Sequence, residues 1–335
     1  INVPKWTIII FKKKSMELTN KTISSVLEKN YSILMPVFYE MQTEYLASLN
    51  LIYEDLDASM VGMVLTNELY KKKVNSNGSG EDISFKNFYN MSTYYLSTSS
   101  LKINKISSII NVPRETVRRK RDKLIKDKIL LLDKKKKTLT LNTEKIDRRI
   151  LNLQIENLTK FLSKFTDYFV SNNFISKMIT KEQIKRDLDK KFLLYLTKFL
   201  EFQILYFSNL KKHNDMESLF IVLLCILNST SHLRKENKVM NYKDVVQNIQ
   251  NMQKVRGLNV SSISDITRIP RTTVIRKINK LEKDGYLYRD KFKRYFTADL
   301  TKNKSTNVIT PLVDYNREII INFFMECFHT FRKKY

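Results

Sequence analysis

Apolar residues return at intervals of three or four over long stretches of the chain. Leu34, Phe38, Met41, Tyr45 and Leu49 fall on one face of a helix, so residues 20–50 read as a long amphipathic helix. Residues 181–211 carry the same pattern. Two shorter and denser apolar segments, 60–70 and 217–228, read as buried helices. The longest uninterrupted run, LFIVLLCIL at 219–227, is far short of the roughly 20 residues a membrane-spanning helix needs. The period changes in two places. LLLDKKKKTLTLN (130–142) and YLYRDKFKRYFTA (286–298) each have two β-prone arms around a charged tip, and each predicts a short β-hairpin.

These elements come in pairs. KISSIINVPRETVRRKRDKLIKDKIL at 105–130 aligns with SISDITRIPRTTVIRKINKLEKDGYL at 262–287 when Pro113 is matched to Pro270, 157 positions on. The match includes Ile106/Ile263, Arg114/Arg271, Thr116/Thr273, Val117/Val274, Arg119/Arg276, Lys123/Lys280 and Leu124/Leu281. Phe85/Tyr242 and Lys86/Lys243 follow the same offset. Upstream, Phe38/Phe199, Gln42/Gln203 and Tyr45/Tyr206 match at 161 positions, and near the ends Phe165/Phe324 and Phe169/Phe328 match at 159. The drop from 161 to 157 calls for about four extra residues in the first copy, and the loop VNSNGSGED at 74–82 is the place for them. The chain therefore reads as two modules, 1–175 and 176–335, with a boundary near residue 175.

Within each module, a short amphipathic helix, a tight turn and a longer basic helix precede the hairpin. In the second copy Ile263, Ile266 and Ile269 form one apolar face, and Val274, Ile278 and Leu281 the other. Pro270, with φ preset and no N–H to satisfy, suits the first turn of the longer helix. That arrangement turns Arg271, Thr272, Ile275 and Arg276 away from the core, with Thr273 beside them. The first copy presents Arg114, Glu115, Arg118 and Arg119, and Arg121 stands where the second has Ile278. Lys277 and Lys280 lie further along, where phosphates would pass. The hairpin tips carry Lys134, Lys135, Lys136 and Lys137 in one copy and Lys291, Lys293 and Arg294 in the other. Gly285 suits the C-cap of its helix, whereas Lys128 at the matching position departs from that preference.

This is the pattern of a winged helix-turn-helix, whose second helix enters the DNA major groove. The helix-turn-helix spans are about 103–128 and 260–284, and the wings about 130–142 and 286–298. The expected fold class is mainly α: two tandem winged helix-turn-helix modules, each with extra helices and a small β-hairpin wing. IPRTTVIRKINKLEKDGYL resembles the recognition helix of bacterial winged-helix transcription regulators of the IclR, GntR and MarR types, over about 40 residues per copy. Those regulators carry one such domain per chain and dimerise, so the resemblance implies that a duplicated chain acts as a covalent pseudo-dimer reading two half-sites. It implies no cofactor, and it leaves further homodimerisation and any small-molecule effector open.

Composition agrees with that expectation. A formal net charge of +26 creates a field that attracts polyanions, nucleic acid first and an anionic membrane surface as the competitor. Cys225 and Cys327 lie in apolar stretches without ligand spacing, and three isolated histidines complete no metal set. No phosphate-cradling glycine loop or nucleophile motif is present, so an enzyme is not expected. IIIF at 8–11 is too short for a secretory signal, which makes a cytoplasmic location the expectation. The leading reading is a sequence-specific double-stranded-DNA-binding transcription regulator. The alternatives are a plasmid- or phage-type replication initiator, built from two winged helices, and an architectural DNA-binding or protein-interaction module.

Overall fold

In the computed structural model, Thr19 and Thr180 start the same helix twice. The structure describes residues 19–76, 83–90, 97–99, 102–135, 138–145, 147–172, 178–211, 213–236, 238–251, 257–298 and 303–332. Thr19 caps α1 (Asn20–Lys29) in a reciprocal capping box with Thr22, and Thr180 caps α8 (Lys181–Lys190) in one with Gln183. Each helix then breaks at a single residue, Asn30 or Lys191, before a longer one begins: α2 (Tyr31–Tyr53) and α9 (Phe192–Leu210). The long helices expected at 20–50 and 181–211 are therefore each two helices. The cause is tertiary. The Ser32 N–H donates to the Met240 carbonyl (3.1 Å) and the Leu193 N–H to the Ile83 carbonyl (3.1 Å), so neither continues the preceding helical ladder.

The remaining elements keep the same order in both halves. In the first, α3 (Leu56–Ser76), α4 (Phe85–Asn90), β1 (Ser97–Ser99), α5 (Ile103–Ile110), α6 (Arg114–Lys126), β2 (Leu130–Asp133), β3 (Thr138–Leu141) and α7 (Arg148–Ser171) follow α2. In the second, α10 (Met216–Ser229), α11 (Ser231–Glu236), α12 (Tyr242–Asn251), α13 (Val260–Thr267), α14 (Arg271–Asp284), β4 (Leu287–Arg289), β5 (Tyr295–Thr297) and α15 (Asn303–Arg332) follow α9. Among the described residues the fold is mainly helical, with 15 helices and two small antiparallel hairpins. In the first hairpin Leu130 is opposite Leu141, and β1 adds antiparallel to the free edge of β3. In the second Leu287 is opposite Thr297, and Leu258 bridges to Tyr295 in place of a third strand. The proposed extra loop residues at 77–82 and the centre of the expected boundary at 173–177 lie outside the described residues.

The halves are interleaved. Helix α2 packs on α7 in its own half and on α10 in the other; α9 packs correspondingly on α15 and on α3. Helix α1 lies against α15, and α8 against α7. Helix α4 lies on α9, and α12 on α2. Where α2 meets α9, the Phe38 ring stands edge-on to Tyr206 at 5.4 Å, and Tyr45 stands edge-on to Phe199 at 5.0 Å. Since Phe38 matches Phe199 and Tyr45 matches Tyr206 in the repeat, these are one contact made twice, as an approximate twofold axis requires. Gln42 and Gln203, the matched residues between those rings, are fully buried, and neither amide has a hydrogen-bond partner.

The buried apolar side chains form one continuous cluster from Ile23 to Phe331 rather than one per half. Helix α10, the densest apolar segment, is part of it, with Phe220, Ile221 and Cys225 at 0% exposure. Both cysteines are free and buried, and burial pushes the Cys225 thiol up to about 12 and the Cys327 thiol up as well. Among the described residues no helix is long and apolar enough to cross a membrane.

A shared core predicts one cooperative unfolding event. Phe38→Ala, which cuts a large ring from the α2–α9 contact, should cost about 3–5 kcal/mol. It should lower the urea midpoint reported by far-ultraviolet circular dichroism and by tyrosine fluorescence together. Two separated transitions, only one of them moved, would show that the halves unfold independently.

Candidate nucleic-acid interface

Pro113 and Pro270 are the N-caps of α6 and α14, with nearly the same backbone angles (φ −53°, ψ 141° and φ −52°, ψ 135°). Each thus precedes the first helical residue, Arg114 or Arg271, instead of occupying the first turn. Neither helix has a side-chain cap, so its leading N–H groups are left to solvent at the end where the arginines project. The turn before each proline is built the same way. Asn111 (φ 50°) and Arg268 (φ 58°) are left-handed C-caps of α5 and α13. Ser107 Oγ donates to the Val112 carbonyl and Ser264 Oγ to the Ile269 carbonyl, both at 2.7 Å.

The packing inside each helix pair agrees with the sequence pattern at most positions and departs from it at one. Ile263, Ile269, Val274, Ile278 and Leu281 are buried, as are Ile106, Ile110, Val117 and Leu124. Ile266, assigned to the apolar face, is 48% exposed. Its neighbour Thr267 is buried in its place and returns its hydroxyl to the Ile263 carbonyl at 2.6 Å. The helical turn from Ile263 closes at the fourth residue and not the third. Arg121 is half-buried and sets its guanidinium on Asp122 (2.7 Å), so it takes the place of Ile278 with its aliphatic stem.

Of the predicted DNA-facing residues, Arg114, Glu115, Arg118 and Arg119 on α6 and Arg271, Thr272, Ile275, Arg276 and Lys280 on α14 are exposed, and Thr273 is half-buried. Arg118 pairs with Glu115 one turn back, and that hydrogen bond raises its pKa. Arg114, Arg119, Arg271, Arg276 and Lys280 have no ion-pair partner among the described residues. At the first hairpin tip Lys134 and Lys135 are exposed, while Lys136 and Lys137 lie outside the described residues. At the second, Lys291 and Lys293 are exposed, but Arg294 is folded back. Its Nε is 3.1 Å from Asp290 and its guanidinium lies 4.6 Å from the centre of the exposed Phe292 ring. Asp290 organises this tip by accepting the Phe292 and Arg294 N–H groups at 2.9 Å each.

A pair of tethers emerges that the sequence pattern had concealed. Lys120 on α6 reaches Asp55 (2.6 Å), which caps α3 by accepting the Ala58 N–H at 2.9 Å. Lys277 on α14 reaches Asp215 (2.6 Å), which caps α10 by accepting the Ser218 N–H at 2.9 Å, and it also reaches Glu217 at 2.9 Å. Lys277 is therefore not available to phosphate; its side chain is 8% exposed. In both halves the basic helix is fastened to the start of the helix that packs against the opposite long helix. The available signal was the match of Lys120 with Lys277 at 157 positions, together with an aspartate, Asp55 or Asp215, one residue ahead of each apolar helix.

The tethers are electrostatically consistent. Burial disfavours the charge on Asp55 and Asp215, but hydrogen bonds from the lysine and from the capped backbone outweigh it and lower both pKa values. Burial opposes the Lys277 charge too, and its two carboxylate partners raise its pKa in spite of it. Among the described residues no group of histidine, cysteine and acidic side chains could hold a metal ion. Comparison of the chain with protein-family models, with curated proteins and with solved structures found no match.

A lowered aspartate pKa contributes stability above its unfolded value, about 3.9, and loses it as pH falls through the folded value. Asp215→Asn should therefore destabilise the protein by about 1–3 kcal/mol at pH 7, where Lys277 loses a charged partner. Near pH 3, below the unfolded value, the gap should narrow, because the Asp215 charge no longer contributes its full stability. Urea midpoints for the two proteins at both pH values check this. An equal gap at pH 3 and pH 7 would mean that the tether does not depend on the Asp215 charge.

Proposed function

We propose that the protein is a sequence-specific double-stranded-DNA-binding regulator in which two winged helix-turn-helix units of one chain read two half-sites. The observation that carries this reading is the pair of exposed basic helix faces, Arg114/Arg118/Arg119 and Arg271/Arg276, at the same place in both halves. Each face begins at an uncapped helix N-terminus next to a proline, and each helix is fixed to the frame by a lysine on its other side. A lysine used as a tether beside Arg114, Arg119, Arg271 and Arg276, which have no ion-pair partner among the described residues, is what a surface with an external anion needs.

The division of labour follows from geometry. A guanidinium near the N-terminus of a helix in the major groove can make two hydrogen bonds to a guanine edge, and the Thr272 hydroxyl can meet a base or a phosphate. Lys134, Lys135, Lys291 and Lys293 on the hairpin tips act on phosphates and supply affinity without sequence preference. The two faces are unlike. Glu115 holds Arg118 in the first, whereas Thr272 and Ile275 occupy those places in the second, so the half-sites are expected to differ. The net charge of +26 draws the duplex in.

The experiment is selection of bound fragments from random double-stranded DNA, followed by titration of the enriched fragment and a scrambled one at two salt concentrations. Arg114→Ala and Arg271→Ala should each cost about 1–3 kcal/mol on the enriched fragment and much less on the scrambled one. Lys291→Ala should weaken both alike and flatten the salt dependence. Equal losses on both fragments for the arginine variants would refute base reading, and failure to enrich any fragment would point to an architectural role.

A further inference from the structure

The repeat contains an internal comparison at a second place. Between α1, α2, α9, α10 and α15 lies a cavity of about 80 Å³, lined mainly by apolar side chains such as Leu27, Met35 and Phe38. The twofold-related place, between α7, α8 and α9, is lined by the matched residues Leu188, Leu196 and Phe199 and holds only about 20 Å³. The two have diverged in chemistry as well as in size. Where the closed one has Phe192 and Leu158, the open one has Tyr31 and Arg317. Tyr39 replaces Leu200, and the polar Asn214 stands at the position matching Tyr53.

The open cavity has polar groups with bonds still to make. Tyr31 and Tyr39 share one hydrogen bond between their hydroxyls at 2.8 Å, which leaves the pair one proton to donate. Burial pushes Tyr39 up to about 12 and Tyr31 well above its usual value, so both stay protonated. Asn214 is 5% exposed, and its side-chain amide nitrogen and oxygen are both buried without a hydrogen-bond partner among the described residues, as is the side-chain amide oxygen of Asn316. Arg317 adds no spare charge, since Glu28 and Asp314 each lie 3.1 Å from its guanidinium. Buried polar side chains are mostly satisfied, and here several unsatisfied atoms gather at one cavity.

The cavity also touches the apparatus that places α14. Asn214 precedes Asp215, the carboxylate that fastens Lys277. Tyr286, which lines the cavity from the far side, follows Gly285 (φ 87°) at the end of α14 and begins the second hairpin. Burial raises the Tyr286 pKa and the neighbouring Asn214 side chain partly offsets it, although the two groups do not reach hydrogen-bonding geometry.

We propose that this cavity binds a small uncharged molecule, mostly apolar and carrying one hydroxyl or amide group, and that its occupancy repositions α14. A charged ligand is disfavoured because the apolar lining offers no free counter-charge. The volume is roughly half that of the ~150 Å³ apolar cavity that admits benzene, so a ligand of that size reaches out through the mouth or displaces Met35. The consequence for α14 rests on the DNA-binding reading above; the binding itself does not.

Phenol, toluene and benzoate are the probes, titrated into the full chain by calorimetry and by saturation-transfer nuclear magnetic resonance. Phenol should bind saturably, toluene more weakly and benzoate not at all. Asn214→Leu should weaken phenol about tenfold while sparing toluene. Tyr39→Phe, which keeps the ring and its packing, should also weaken phenol, and Leu196→Phe in the closed cavity should leave it unchanged. No saturable phenol binding, or binding indifferent to both Asn214→Leu and Tyr39→Phe, overturns the site. Phenol at saturation should change affinity for the enriched DNA fragment, and no change would overturn the link to α14. Saturable phenol binding by a protein with no affinity for any DNA would instead leave the site standing and remove the regulator reading.

Discussion

Phe38 against Tyr206 and Tyr45 against Phe199 hold α2 and α9 together, and the positions of both basic helices depend on that crossing. A contact in which each residue meets the other's counterpart is the geometry of an isologous dimer, here enclosed in one polypeptide. Each edge-to-face pair contributes about 0.5–1.5 kcal/mol beyond simple burial. Its larger effect is to fix register. With α2 and α9 crossed, α3 must lie on α9 and α10 on α2, and the aspartates capping those two helices become the anchors for Lys120 and Lys277. From aromatic crossing to apolar helix to capping aspartate to lysine is a short chain of contacts, and it runs in duplicate to the two exposed arginine faces.

The symmetry is kept inside the frame and relaxed among the outward-facing groups. Proline N-caps, left-handed turn residues, serine-to-carbonyl bonds and lysine tethers are the same in both halves. The groups pointing outward are not: Glu115 against Thr272, Arg118 against Ile275, Lys135 against Phe292. The Lys128 and Gly285 pair shows the same tolerance at a helix end. Both adopt the left-handed conformation (φ 57° and 87°), at no steric cost for glycine and at some cost for lysine. Inside the frame a large departure among the described residues is the cavity beside Asn214, about 80 Å³ in one half against about 20 Å³ in the other.

The repeated helix pairs α5–α6 and α13–α14 were legible because the apolar spacing, the proline and the turn are local. So were the hairpins, whose alternation survives around charged tips, and the buried character of α10. The breaks at Asn30 and Lys191 were not, since each is imposed by a backbone carbonyl from distant sequence, Met240 or Ile83. Ile266 was placed on the wrong face because an interval of three and an interval of four are both helical, and only packing chooses between them. Lys277 reads as one more cation on a basic helix until Asp215 and Glu217 are brought beside it. The merging of two cores into one was equally hidden, because an amphipathic helix in isolation does not say which half it will cover.

The proposed function requires that one frame present both basic helices, α6 and α14, to one duplex. Hydroxyl-radical footprinting on the DNA fragment that the protein selects measures this directly. Two protected patches on one face of the helix, with centres about 34 Å or one turn apart, are the predicted result. They should be unequal in strength and lost separately in Arg114→Ala and Arg271→Ala. A single patch, abolished by one of these substitutions and untouched by the other, would contradict the account.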